Sequence, residues 1–232
     1  PVLAQVARSQ TTPPCNTGPG PFVVFFGTIT RIAGAREMLA AVNAVSNRFP
    51  VRLKLLGVFE DRALRSEGLR SGLGGRVEYQ GFVPMPEVYQ HYRGALAALV
   101  LLHPVPKFLE SMPIKMFESM ACGVPVIASD FPLWRRIVHD QGCGLVVDPL
   151  NVPQVADAII YLIEHPEEAK KMGQRGKELV AKKYNWESES EKLLLLYQEL
   201  LGKAGLGVLA SWREEQDGGD LSQSRKGAKN DA

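Results

Sequence analysis

From Phe22 onward the chain alternates strand-like apolar runs with helical periodicities, and this alternation restricts its fold more than any other feature. Phe22 to Phe26, Val51 to Leu56, Val77 to Tyr79, Ala97 to Leu102, Val124 to Ala128 and Leu145 to Val147 read as strands. Helical segments lie between them, near 36–46, 61–70, 87–93, 113–122 and 132–138. Alternation of this kind packs helices on the faces of a sheet whose strands run parallel. The expected class is α/β, a single Rossmann-like doubly wound parallel sheet of about six strands flanked by helices. Two further helices, Val152 to Glu164 and Pro166 to Lys183, follow the last strand. A final helix near 186–201 is apolar almost all round through Leu193 to Leu196, Tyr197, Leu200 and Leu201, so it calls for burial on more than one side. Trp134 and Trp186 read as core anchors.

Composition narrows the function classes. The 232 residues are 45% hydrophobic, enough for one large α/β domain or two small ones. A formal charge of +2 leaves no basic stripe, which argues against a nucleic-acid partner. Cys15, Cys122 and Cys143 are spaced too widely for a disulfide framework or a zinc site, and fit reduced thiols in a cytoplasmic setting. The longest clear apolar run, Ala95 to Leu102, is strand-sized, far short of a membrane span, and no signal peptide is visible. Residues 1–21, rich in Pro, Gly, Ser and Thr, read as a linker or the remnant of a preceding domain, 22–201 as the folded domain, and 202–232 as a disordered tail.

The densest chemistry lies in FLESMPIKMFESMACGVPVIASD, residues 108–130. Pro113 has its φ preset for a first helical turn and lacks the N–H that would be unpaired there. Ile114, Phe117, Met120 and Ala121 form an apolar stripe facing a core. Gly123 stands where a helix C-terminus favours φ > 0, and Val124 to Ala128 reads as a strand buried on both faces. Ser111, Lys115 and Glu118 share the polar face, and Glu110 precedes the helix near its positive end, a terminus suited to phosphate. On spacing alone a blander account also serves: Glu110 favours the helix dipole, and Lys115 and Glu118 form a surface pair.

Glu110 and Glu118 with seven residues between them, followed by Ala-Cys-Gly-Val-Pro-Val-Ile-Ala-Ser, resemble the Glu-x7-Glu signature of group 1 (family 4) retaining glycosyltransferases. The resemblance covers residues 22–201. It implies the C-terminal, donor-binding half of a GT-B architecture, a nucleotide-sugar donor as substrate, no cofactor and no metal. The acceptor implied is a glycan or lipid-linked hydroxyl, met through an N-terminal domain that this chain lacks. Such proteins act in the cytoplasm, and peripheral association with the inner face of the membrane stays open. By the same resemblance Glu118 holds the ribose hydroxyls, and Glu110 accepts hydrogen bonds from the sugar. The backbone from Ser111 through Met112 and Pro113 to Ile114 lies against the sugar and diphosphate, and the backbone of Phe82 and Val83 meets the base. His103, at a strand end, is a candidate contact to the sugar phosphate, although a lone His there is more often structural.

The departing diphosphate needs cations, because negative charge builds on it as the sugar leaves. The family supplies an Arg after the first-strand glycine and a Lys before a second glycine. With Gly27 and Gly34 aligned to those glycines, Thr28 and Ala33 occupy the two positions. Arg31 is the expected replacement, with Arg36 or Lys115 in reserve. These departures keep a second reading alive, a non-catalytic nucleotide-sugar-binding module. A sugar-nucleotide epimerase of the same architecture is a third, and the Glu-x7-Glu pattern argues against it. No Asp-x-Asp, Walker A loop, Gly-x-Ser-x-Gly elbow or Gly-x-Gly-x-x-Gly fingerprint is present.

Overall fold

The computed structural model describes residues 20–70 and 75–200, with the side chains of 69 and 70 left aside. The expected linker and tail therefore lie almost wholly outside the described residues. Six strands form one sheet: β1 (Phe22–Phe26), β2 (Arg52–Leu56), β3 (Val77–Gly81), β4 (Ala97–Val100), β5 (Val126–Ser129) and β6 (Gly144–Val147). Their order is β3-β2-β1-β4-β5-β6, and every pair is parallel. The central strands are buried along their length except at Phe26, the last residue of β1, as expected of parallel strands covered on both faces.

The helices are α1 (Ala35–Ser46), α2 (Arg62–Arg70), α3 (Met85–Tyr92), a single turn α4 (Pro106–Leu109), α5 (Ile114–Ala121), α6 (Pro132–Trp134), α7 (Val152–Glu164) and α8 (Pro166–Lys183). A π-helical turn, Arg135–His139, extends α6. Helices α1 and α7 pack together, as do α5 and α8. The second pair is close because α8 brings glycines to the contact. A Cβ at Gly173 would stand 2.0 Å from the carbonyl oxygen of Gly123. Gly123 itself takes φ +75 just past the end of α5, the left-handed position expected of it.

The chain divides into two compact units, 1–185 and 186–232, so the division falls ahead of the final helix that the sequence grouped with the domain. In the second unit a helix runs over 186–200, with Leu193, Leu194, Leu195, Leu196, Tyr197 and Leu200 exposed. The reading of two tryptophan anchors is half corrected: Trp134 is fully buried, whereas Trp186 is 63% exposed. Trp134 meets the Phe131 ring in a tilted pair, with centroids 4.7 Å apart, while Trp186 opens a helix whose residues are mostly exposed. Among the described residues no helix is long and apolar enough to cross a membrane.

Candidate functional site

In an open parallel sheet the ligand crevice lies beyond the carboxyl ends of the strands, where successive connections leave in opposite directions. Here that point falls between β1 and β4. Gly27 ends β1 with φ +124, and its N–H donates to the carbonyl of Leu56 at 2.9 Å. Gly57 ends β2 with φ +141, and a Cβ on it would stand 1.9 Å from the carbonyl oxygen of Gly27. The two strand ends therefore run backbone against backbone, leaving the crevice floor without side chains. The sequence reading named Gly27 but missed Gly57, whose signal was a glycine ending the neighbouring strand.

The loop after Gly27 is held locally. Thr30 accepts the N–H of Ala33 on Oγ1 at 3.0 Å, capping a 3-10 turn over Arg31–Ala33. Thr28 is exposed, and Ala33 is buried. The loop's cations are already matched by acids. Arg31 Nε lies 3.6 Å from Asp61 beside α2, and Arg36 donates to Glu67 at 2.8 Å. Arg31, the expected replacement cation, is thus on the loop but directed to a carboxylate, and its side chain is 47% exposed.

His103 follows β4, and its N–H donates to the carbonyl of Ile32 at 2.9 Å. Its Nε2 lies 3.2 Å from Glu37 Oε1 in the first turn of α1. That approach is off the hydrogen-bond direction, since Nε2 and the second Glu37 oxygen are buried without hydrogen-bond partners among the described residues. The imidazole is therefore directed toward α1, in keeping with the structural role that is commoner for a lone His.

Beyond the one-turn α4, Glu110 takes φ −107 and ψ 0, the sparsely populated bridge region that recurs in functional loops. Its side chain is exposed and makes no hydrogen bond or ion pair among the described residues. Ser111 is pinned: its N–H and Oγ both donate to the carbonyl of Phe108, at 3.2 and 3.0 Å. Its own carbonyl accepts the indole N–H of Trp134 at 2.7 Å. This corrects the expectation that the Ser111 N–H faces a ligand. The donors left to this terminus are the N–H groups of Met112, Ile114 and Lys115, none of which meets an acceptor among the described residues. The support from Trp134 is a long-range contact that no local pattern announced.

Pro113 stands at the cap of α5 with φ −68 and ψ 124, one residue outside the helix it was expected to begin. Ile114 also departs from expectation. It is 72% exposed, not part of the buried stripe, and Met116, Met120 and Ala121 make the core contact in its place. Met112, just ahead of α5, is exposed as well. Of the base-side pair, Phe82 is 78% exposed and Val83 is buried, beside Gly81, whose carbonyl accepts the Gly57 N–H at 2.7 Å.

The polar face of α5 is not a surface pair. Glu118 is buried to 7% exposure, and burial raises its carboxyl above the usual range. Lys115 makes no ion pair with Glu118 or any other carboxylate among the described residues. Its Nζ lies 4.3 Å from the Phe25 ring centroid and 3.3 Å from where a Cβ on Gly27 would stand. Burial pushes its ammonium down to about 8. A hollow of about 450 Å³ lies at the C-terminal end of α5, lined by Cys122, Gly123, Lys170, Lys171 and Lys177.

The class of protein follows: an α/β domain built on a doubly wound parallel sheet, with Glu110 ahead of α5 and Glu118 on it, beside the switch point of the sheet. The family described as Glycosyl transferases group 1 matches residues 16–179, and the chain belongs to that family. A D-inositol 3-phosphate glycosyltransferase of Segniliparus rotundus is 29% identical over 197 residues, covering 82% of this chain and 42% of the relative. A GDP-mannose-dependent α-(1-6)-phosphatidylinositol monomannoside mannosyltransferase of Mycobacterium tuberculosis is 27% identical, covering 81% of this chain and 50% of the relative. The chain thus spans about half the length of the curated relatives it matches. Among solved structures, sucrose-phosphate synthase from Thermosynechococcus elongatus superposes with a TM-score of 0.68 at 27% identity, over 85% of this chain and 49% of that one. Anabaena HepE, solved in complex with UDP-glucose, shares the fold with a TM-score of 0.68 at 16% identity, over 85% of this chain and 52% of that one.

Proposed function

We propose that this chain is the donor-binding half of a retaining glycosyltransferase that moves a sugar from a nucleoside-diphosphate donor to a hydroxyl of a glycan or lipid-linked acceptor. Family membership over residues 16–179, joined to the position of the Glu110–Glu118 helix at the switch point, carries this reading. Glu118 accepts hydrogen bonds from the ribose hydroxyls, and Glu110, unpartnered at the helix mouth, accepts them from the sugar. The N–H groups of Met112, Ile114 and Lys115 lie against the diphosphate, where the positive end of α5 favours an anion. The backbone of Phe82 and Val83 meets the base, and the Phe82 ring is exposed beside it. Leaving-group stabilisation and acceptor positioning carry the chemistry, and the acceptor side belongs to a partner domain.

A thermal-shift panel of UDP, GDP, ADP and their sugars tests the reading, because a ligand selective for the folded state raises the melting point. One base should stand out. Melting points unmoved by every nucleotide at millimolar concentration would refute it. The exposed Thr28 and buried Ala33, where the family places cations, favour one competing reading, a module that binds donor without transferring it. Donor binding with no sugar transfer once an acceptor domain is supplied would select that alternative.

A further inference from the structure

The diphosphate subsite has lost both loop cations, yet the negative charge that builds on the leaving nucleotide still calls for one. Thr28 and Ala33 are uncharged, and the loop's own guanidiniums, Arg31 and Arg36, are matched by Asp61 and Glu67. Lys115 differs from them in three ways. It sits on the helix across the crevice, its ammonium reaches back to the end of β1 against Gly27, and no carboxylate among the described residues neutralises it. The absence of a side chain at Gly27 is what admits it: any Cβ there would crowd Nζ at 3.3 Å. The ammonium lies over the face of Phe25, 4.3 Å from its centroid, which attracts a cation while removing it from water. A poorly hydrated, unmatched ammonium beside unbonded helix N–H groups is a site prepared for an anion.

We infer that Lys115 has taken over the role of the missing loop cations, binding the donor diphosphate from α5 and stabilising the leaving nucleoside diphosphate as the sugar departs. The inference rests on the donor-binding reading above and adds to it the source of the charge. Placing the cation on α5 has a consequence. The same turn of helix that presents its N–H groups to the phosphates also carries their counter-charge, so the subsite is assembled on one rigid element. The charge on Lys115 is conditional where a guanidinium's would be permanent, because its proton is loosely held until an anion arrives.

The test uses the full chain and three probes that share one base: the nucleoside, its monophosphate and its diphosphate. Lys115→Met should fold, shown by circular dichroism, and should bind the nucleoside as the wild type does. Its affinity for the diphosphate should fall at least about thirtyfold, the scale of removing one partner of a desolvated charge pair. Lys115→Arg should recover part of that loss, and Arg31→Met should bind diphosphate within about threefold of wild type, as expected of an exposed, already paired cation. Equal diphosphate affinity in wild type and Lys115→Met would overturn the inference and leave the donor-binding reading standing. Failure of the wild type to bind any of the probes would remove both. Should Lys115→Met not fold, calorimetry of diphosphate binding to the wild type at pH 8.5, in buffers of different ionisation enthalpy, decides the matter. Net proton uptake supports the inference, and zero uptake overturns it.

Discussion

The ammonium of Lys115 makes the unliganded protein less stable than it would otherwise be, and the size and pH range of that penalty follow from its surroundings. Lowering its proton affinity from the ordinary 10.5 to about 8 corresponds to at most about 3.5 kcal/mol, at about 1.4 kcal/mol per unit. The side chain is only partly buried, so residual hydration reduces the penalty to about 1–3 kcal/mol. Below pH 8 both the folded and the unfolded chain hold the proton, and the folded chain bears the full penalty. Between 8 and 10.5 the folded chain sheds it while the unfolded chain keeps it. The unfolded state then binds more protons, so stability rises with pH. Lys115→Met removes the penalty altogether. The variant should therefore melt above the wild type at pH 7, by about 3–9 °C for a domain of this size. Its advantage should shrink steadily toward pH 10. Melting curves of both proteins by circular dichroism, without nucleotide, at four pH values measure the gap. A wild type that melts higher at pH 7, or a gap that ignores pH, would refute the reasoning.

Three further outcomes follow from the same geometry. Gly57→Ala adds a Cβ 1.9 Å from the Gly27 carbonyl at φ +141, combining backbone strain with a clash neither strand end can relieve. A loss of about 3 kcal/mol, or about 6–12 °C in melting point, is expected, and a variant melting with the wild type would count against the packing described. Glu118→Gln removes a buried carboxylate whose ionisation is costly, so the unliganded variant should melt at or above the wild type at pH 7. Its nucleotide affinity should drop by about 10- to 100-fold through loss of a charge-assisted hydrogen bond, and wild-type affinity should fail on acidification at a pH above the ordinary 4.5; titration calorimetry reads both. Trp134→Phe keeps the aromatic packing but strips the Ser111 carbonyl of its donor, a cost of about 1–2 kcal/mol in urea unfolding. It should also weaken nucleotide binding, and unchanged affinity would show that the Ser111 loop does not need this support.

The amino-acid order alone determined the sheet, the order of its elements and the existence of the paired-carboxylate helix. Each rests on a local signal: apolar runs for the buried strands, Pro113 before a periodic segment, and Gly123 at the left-handed stop. The bounds of α7 and α8 were equally legible, because Asn151, Pro153 and Pro166 mark their starts. Where periodicity misled, the cause was tertiary cover. Ile114 keeps the helical spacing of a core residue but opens the first turn of α5, where none of the described residues buries it. Trp186 has the side chain of an anchor and is 63% exposed.

Only the tertiary structure decided what the charges do. Lys115 and Glu118 share a helical face in sequence, yet one reaches β1 and the other is buried near Tyr89 and Tyr92, distinctions set by what packs on α5. Arg31 sits in the loop where a replacement cation was expected, and Asp61, thirty residues on, holds it. Gly57 and Trp134 support the site from other strands and helices through contacts with no sequence spacing to reveal them. Strand and helix formation depends on neighbours along the chain, and so is written there. The state of an ionisable side chain depends on which distant groups desolvate or neutralise it, and folding alone brings those together.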